Sequence, residues 1–150
     1  MILFVRRAVL FLPLVLWSAD GVGQSTPVGL WRTVDDATGK AKALVRIVEA
    51  SGVLSGRIEH LFDPDPKWNG RCDKCRDERK DQPVLGMTIL SGARKDGDDY
   101  KGGEILDPEN GNLYRCMLRV TDAGDRLEVR GFIGIALFGR TQVWLREKQP

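Results

Sequence analysis

The sequence predicts an all-β domain: a single antiparallel barrel of eight strands, with one long loop that carries two cysteines. Three observations lead there. Eight short stretches of strand character follow one another between Gly29 and Arg146. Turn residues separate most of them at intervals of about 8 to 12 residues, the spacing of sandwiches and barrels. No segment carries a convincing helical period. The chain has 150 residues, which favours one domain, and 17 glycines suit many tight turns.

The elements follow in order. Gly29 to Val34 is the first strand, and the turn Asp35-Asp36-Ala37-Thr38-Gly39-Lys40 ends it. Ala43 to Glu49 is the second, and Ser51-Gly52 returns it into Val53 to Leu61 as a tight hairpin. Phe62 to Pro83 is a long connection rich in charge, with Pro64, Pro66 and Pro83. Loops of this length are often functional or cross-linked. Met87 to Arg94 resumes strand character, and Lys95-Asp96-Gly97-Asp98 turns into Tyr100 to Leu106. After Asp107-Pro108-Glu109-Asn110-Gly111, Leu113 to Val120 puts Tyr114, Cys116, Leu118 and Val120 on one face. Asp122 to Asp125 turns into Leu127 to Ile133, and Thr141 to Arg146 is the last strand.

The N-terminus has a different character. Arg6 and Arg7 precede an uncharged, largely apolar run from Ala8 to Ala19, and Gly21-Val22-Gly23 supplies small residues. This is the secretory pattern, and it predicts export with cleavage after residue 23. The run is shorter than the ~18 to 20 residues that span a bilayer, and Pro13 interrupts it. Residues 24 to 150 are then the mature domain, periplasmic or secreted, with no transmembrane segment. The chain has 23 basic and 21 acidic residues; removing Arg6, Arg7 and Asp20 leaves 21 against 20. The signs are interleaved, whereas nucleic-acid binders cluster a basic surplus. Nucleic acid is therefore set aside as a partner.

Several groups are candidates for chemistry. Cys72 and Cys75 form a CxxC pair in a loop, away from the helix start that a redox motif needs. In an exported protein they are expected to form a disulfide that pins the loop, with Cys116 buried. The alternatives are a Cys₃His metal site from His60, Cys72, Cys75 and Cys116, or a bond from Cys116 to a loop cysteine. No cofactor is expected. Asp35 and Asp36 could do acid–base work, yet Asp and Gly at these spacings are also the material of turns. His60 is the sole histidine and no serine sits in a Gly-x-Ser-x-Gly elbow, so a histidine-based hydrolase triad cannot be built. Gly131, Gly134 and Gly139 do not form a strand-to-helix phosphate loop. Arg140, Gln142 and Trp144 share one face of the last strand, as a small polar ligand would require or as an outer polar face would show. Arg130 falls on the face opposite Leu127, Val129 and Gly131. The apolar run from Phe132 to Phe138 either covers the barrel or presents an apolar surface.

An ordered set of motifs resembles the DUF2147 family. It comprises Gly29-Leu30-Trp31-Arg32-Thr33, Asp35-Asp36-x-Thr38-Gly39-Lys40, Cys72-x-x-Cys75, Gly103-x-Ile105-Leu106-Asp107-Pro108-x-Asn110-Gly111, Val129-Arg130-Gly131-Phe132-Ile133-Gly134 and Phe138-Gly139-Arg140-Thr141-Gln142-x-Trp144. The resemblance runs from about Gly29 to Arg146 and implies a small exported bacterial protein. It carries no catalytic residue over, because that family has no assigned activity. Gly29-x-Trp31 on the first strand is also similar to the opening of the calycins, the lipocalin and avidin-like barrels. That resemblance implies that Trp31 plugs the barrel floor beneath a basic residue of the last strand, Arg146 or Arg140. The rival role for Trp31 is stacking on a ligand.

Three functions are compatible with these residues. The first is a non-enzymatic binding module of the cell envelope, for a small molecule or an envelope protein. The second is an enzyme whose site uses Asp35, Asp36, Arg130 and Arg140. The third is a structural or stress-related protein with a filled barrel. Convergence of those four side chains in a cleft would favour the enzyme.

Overall fold

The computed structural model describes residues 26 to 148. The expected leader, residues 1 to 23, and its cleavage point lie outside the described residues. Eight strands run in sequence order: β1 (Gly29–Val34), β2 (Ala41–Ala50), β3 (Val53–Leu61), β4 (Thr88–Asp96), β5 (Asp99–Asp107), β6 (Asn112–Thr121), β7 (Arg126–Phe132) and β8 (Arg140–Arg146). Every neighbour is antiparallel, and pairing of β1 with β8 closes the barrel. Two single 3₁₀ turns, Asp122–Gly124 and Ala136–Phe138, are the helical elements among the described residues. Among the described residues no helix is long and apolar enough to cross a membrane. The eight predicted strands are the eight observed, with ends that differ by one or two residues. Ladder pairing continues into the turns, as in Asp96↔Asp99 beyond the expected end at Arg94.

Period-two alternation builds the interior. Ala43, Val45 and Ile47 of β2, Leu54 and Ile58 of β3, Cys116 and Leu118 of β6, and Leu127 and Val129 of β7 are buried. On β6 the outer face carries exposed Leu113, Arg115 and Arg119. His60 breaks the parity of β3. A register shift opposite Leu44/Val45 pairs Leu44 with His60 and Val45 with Ile58, so His60 turns outward and packs edge-on against Phe62 at 4.6 Å.

One end of the barrel is closed by Trp31. Its side chain is fully buried, and its indole N–H donates to the Pro27 carbonyl at 2.7 Å. Arg146 pairs with Trp31 across the β1–β8 seam and lies over the ring, 4.1 Å from its centroid. The same guanidinium donates to the carbonyls of Gly124, Val28 and Thr26. It therefore ties together the entering chain, the β6–β7 turn and the plug. Gly29 makes room for it: a Cβ there would come within 2.7 Å of Arg146 Nη1, at a φ of +140° that side chains rarely adopt.

The other end carries the long connections. Four segments meet around this mouth: the β1–β2 turn, the β3–β4 loop, the β5–β6 turn and the β7–β8 loop. The β3–β4 loop is pinned by the Cys72–Cys75 disulfide, as expected. Both cysteines are buried, and Cys72 Sγ lies 3.6 Å from the Pro108 carbonyl of the β5–β6 turn. Gly111, at φ +71°, lets that turn pass against the Lys74 carbonyl, where any Cβ would overlap it.

Candidate functional site

The last strand sets the site. Along β8 the inward positions are Arg146, Trp144, Gln142 and Arg140, from the closed end to the mouth. The inward assignment follows from the pairing of Trp144 with buried Leu127, of Gln142 with buried Val129, and of Arg140 with Gly131. Trp144 is only 2% exposed, so it forms a floor rather than a stacking surface. Its indole N–H donates to Gln142 Oε1 at 3.4 Å, and Gln142 Nε2 donates to Asp36 Oδ2 at 3.4 Å. Arg140 Nη2 forms an ion pair with the same carboxylate oxygen. A connected polar chain, Trp144–Gln142–Asp36–Arg140, thus runs from the core to the rim.

The neighbouring wall is also polar. Gly131 has no side chain between Arg140 on β8 and Tyr114 on β6; a Cβ at Gly131 would lie 3.5 Å from Tyr114 Cβ. The Tyr114 hydroxyl accepts from Asn110 Nδ2 at 3.2 Å and from Asn112 Nδ2 at 3.5 Å. Tyr114, Asn110 and Asn112 were not among the candidates read from the sequence. Their signal was available in part, since Tyr114 shares its face with Cys116.

Two residues of the enzyme reading are placed elsewhere. Asp35 belongs to its own turn: Oδ1 accepts from the Ala37 and Thr38 backbone N–H groups and from the Thr38 hydroxyl, at 3.1, 2.8 and 2.9 Å. The Thr38 hydroxyl, with those N–H groups, holds its pKa below the usual value. Arg130 faces outward because the inward residues of β7 are Leu127, Val129 and Gly131. Its guanidinium donates to the carbonyls of Ala136 and Leu137 and to Thr141 Oγ1, which fastens the β7–β8 loop. The four-residue set Asp35, Asp36, Arg130 and Arg140 therefore does not converge; Asp36 and Arg140 alone meet.

The alternative metal set is not assembled either. Cys72 and Cys75 are bonded to each other, Cys116 lies in the interior wall, and His60 faces outward. No group of three or more His, Cys, Asp or Glu residues among those described could hold a metal ion. Burial pushes the Cys116 thiol pKa up to about 12, so it is protonated and unreactive near neutrality.

The mouth presents a guanidinium, an amide, a carboxylate and a phenol above an apolar floor. Such a set can orient a small molecule. The model of the family described as "Uncharacterized protein conserved in bacteria (DUF2147)" matches residues 29–146. The chain belongs to the DUF2147 family. A comparison with curated proteins finds no match. Among solved structures, this DUF2147 chain is similar to HP1028 of the human pathogen Helicobacter pylori, which belongs to the lipocalin family. The TM-score is 0.67 at 19% identity, over 81% of this chain and 82% of that one. At that identity the likeness shows a shared lipocalin-like barrel.

Proposed function

We propose that this protein is an exported, non-enzymatic binding module of the bacterial cell envelope, and that its barrel mouth holds a small polar or anionic ligand. The observation that carries the reading is the inward ladder of β8, where Arg140 and Gln142 stand over buried Trp144 beside Asp36. The Arg140 side chain is 71% exposed, so a ligand carboxylate or phosphate can reach its planar donor fork. The lipocalin-like barrel supports a ligand-binding role by analogy of fold. The export component rests on the basic, apolar and small-residue pattern of residues 6 to 23.

Native mass spectrometry of protein purified from its own envelope fraction tests this. The expected result is a retained small molecule that Arg140→Ala and Gln142→Ala each lose while their thermal unfolding stays close to the wild type. An adduct that survives both substitutions, or wild-type protein with no adduct, overturns the reading.

A second reading, a filled barrel without ligand, has an observation in its favour. Trp31, Val45, Ile47, Leu54, Leu90, Leu118, Leu127 and Trp144 occupy the interior at 2% exposure or less. In addition, clefts of about 570 and 270 Å³ lie away from the mouth, one at the β6–β7 turn and one beside Arg119 and Arg130. Any ligand therefore sits high at the mouth, above Trp144.

A further inference from the structure

The β7–β8 loop is a second surface of unusual character. Ile133, Ile135, Leu137 and Phe138 are exposed at 72, 60, 76 and 79%. Leu113 adds a fifth exposed apolar side chain at the adjacent start of β6, two residues before Arg115, which pairs with Phe132. Residues 133 to 139 contain no charge. Ordinary solvated loops do not concentrate large apolar side chains in this way.

Part of the loop backbone is paired internally. Phe138 N–H donates to the Ile135 carbonyl at 3.3 Å and Gly139 N–H to the Ala136 carbonyl at 3.1 Å. The Ala136 and Leu137 carbonyls accept from Arg130 at 2.7 and 3.1 Å. The flanking charge is basic. Arg130 is bound by neutral oxygens alone, and Arg115 lies over the Phe132 ring at 5.6 Å. Neither guanidinium has a carboxylate within ion-pair distance among the described residues. Glu104 stands opposite Arg115 across β5 and β6 without an ion pair, and the patch is an apolar tip with two arginines behind it that form no salt bridge among the described residues. Five side chains at one rim are also a small area beside the ~800 Å² per partner of a stable protein interface.

We propose that residues 133–139 dock the barrel on a lipid bilayer, with Ile133, Ile135, Leu137 and Phe138 in the interfacial layer and Arg115 and Arg130 at the level of anionic headgroups. This interaction combines apolar burial with charge attraction. It stands whether or not the mouth holds a ligand.

Vesicles of phosphatidylcholine and phosphatidylglycerol in equal parts are the probe, with pure phosphatidylcholine vesicles alongside. A polarity-sensitive dye is attached to Leu137→Cys and, as a control, to Val48→Cys, an exposed apolar site on the outer face of β2. The expected result is a blue shift on the mixed vesicles for the dye at position 137 and none for the dye at position 48. In co-sedimentation, Leu137→Asp/Phe138→Asp should weaken binding to the mixed vesicles by about tenfold or more. Pure phosphatidylcholine vesicles should bind the wild type more weakly. Circular dichroism should show the variant folded. The proposal is overturned by an unshifted dye at position 137, by equal binding of the folded double variant, or by equal binding to both vesicle types. It is also overturned by a dimer in solution that the double variant dissociates, since a second copy would then cover the loop.

Discussion

Replacing Trp31 by alanine removes the plug of the closed end. The side chain is fully buried, its N–H bonds the Pro27 carbonyl at 2.7 Å, and Arg146 lies 4.1 Å above its ring. Truncation of a buried tryptophan costs about 3 to 5 kcal/mol, because surrounding atoms close only part of the cavity. Loss of the cation–π contact accounts for ~0.5 to 2 kcal/mol of that. Arg146 keeps its carbonyl partners, so the closed end loosens without a bare charge being left. For a domain of this size each kcal/mol moves the midpoint by roughly 4 °C, so Trp31→Ala should melt about 12 to 20 °C lower. Trp31→Phe keeps most of the apolar area and a ring under Arg146. It orphans the Pro27 carbonyl, whose residue is buried, and should cost about 1 to 3 kcal/mol. Thermal unfolding followed by circular dichroism reads both variants. A Trp31→Ala midpoint at the wild-type value would refute the plug and return Trp31 to the ligand-stacking role. Equal midpoints for Trp31→Phe and the wild type would refute the importance of the Pro27 bond.

Three other expectations concern the mouth and the interior. Gly111→Ala forces a Cβ into the Lys74 carbonyl at a left-handed φ, so the disulfide-pinned loop must lift from the β5–β6 turn; limited proteolysis should then cut between residues 62 and 87 faster than in the wild type, and unchanged cleavage would refute this packing. Without reductant, alkylation should label one thiol per chain, Cys116, and then only after unfolding; labelling of the folded protein would contradict its burial. Because burial raises the Cys116 pKa from 9.0 to about 12, the unfolded chain releases that proton first as pH climbs between these values. The contribution of this thiol to stability is therefore full below pH 9.0 and falls above it. Denaturant titrations should show a steeper alkaline loss for the wild type than for Cys116→Ala, and parallel losses would refute it.

Local information in the chain determined a good deal. Period-two alternation and Gly/Asp/Asn turns are short-range properties, so eight strands, their order and the face shared by Cys116 and Leu118 were legible. So was the grouping of Arg140, Gln142 and Trp144 on one face, because parity within a strand needs no partner. The CxxC spacing likewise sufficed for a loop disulfide once export was expected. Parity cannot say which face is inside when that face mixes Arg and Gln with Trp. Only the pairing of β8 with both β7 and β1 turned that face inward, and only barrel closure brought Asp36 to Arg140, 104 residues away. A bulge resets parity, which is why His60 left the interior although Leu54, Gly56 and Ile58 lead towards it. Whether the run from Phe132 to Phe138 covers the barrel or faces solvent was likewise open in the sequence. The structure divides it: Phe132 is buried, while Arg130 on the outer wall captures the loop carbonyls and Ile133, Ile135, Leu137 and Phe138 are left exposed. The Asp36–Arg140 contact, by contrast, joins residues through the closed sheet rather than along the chain, so no reading of neighbours in sequence could have ordered it.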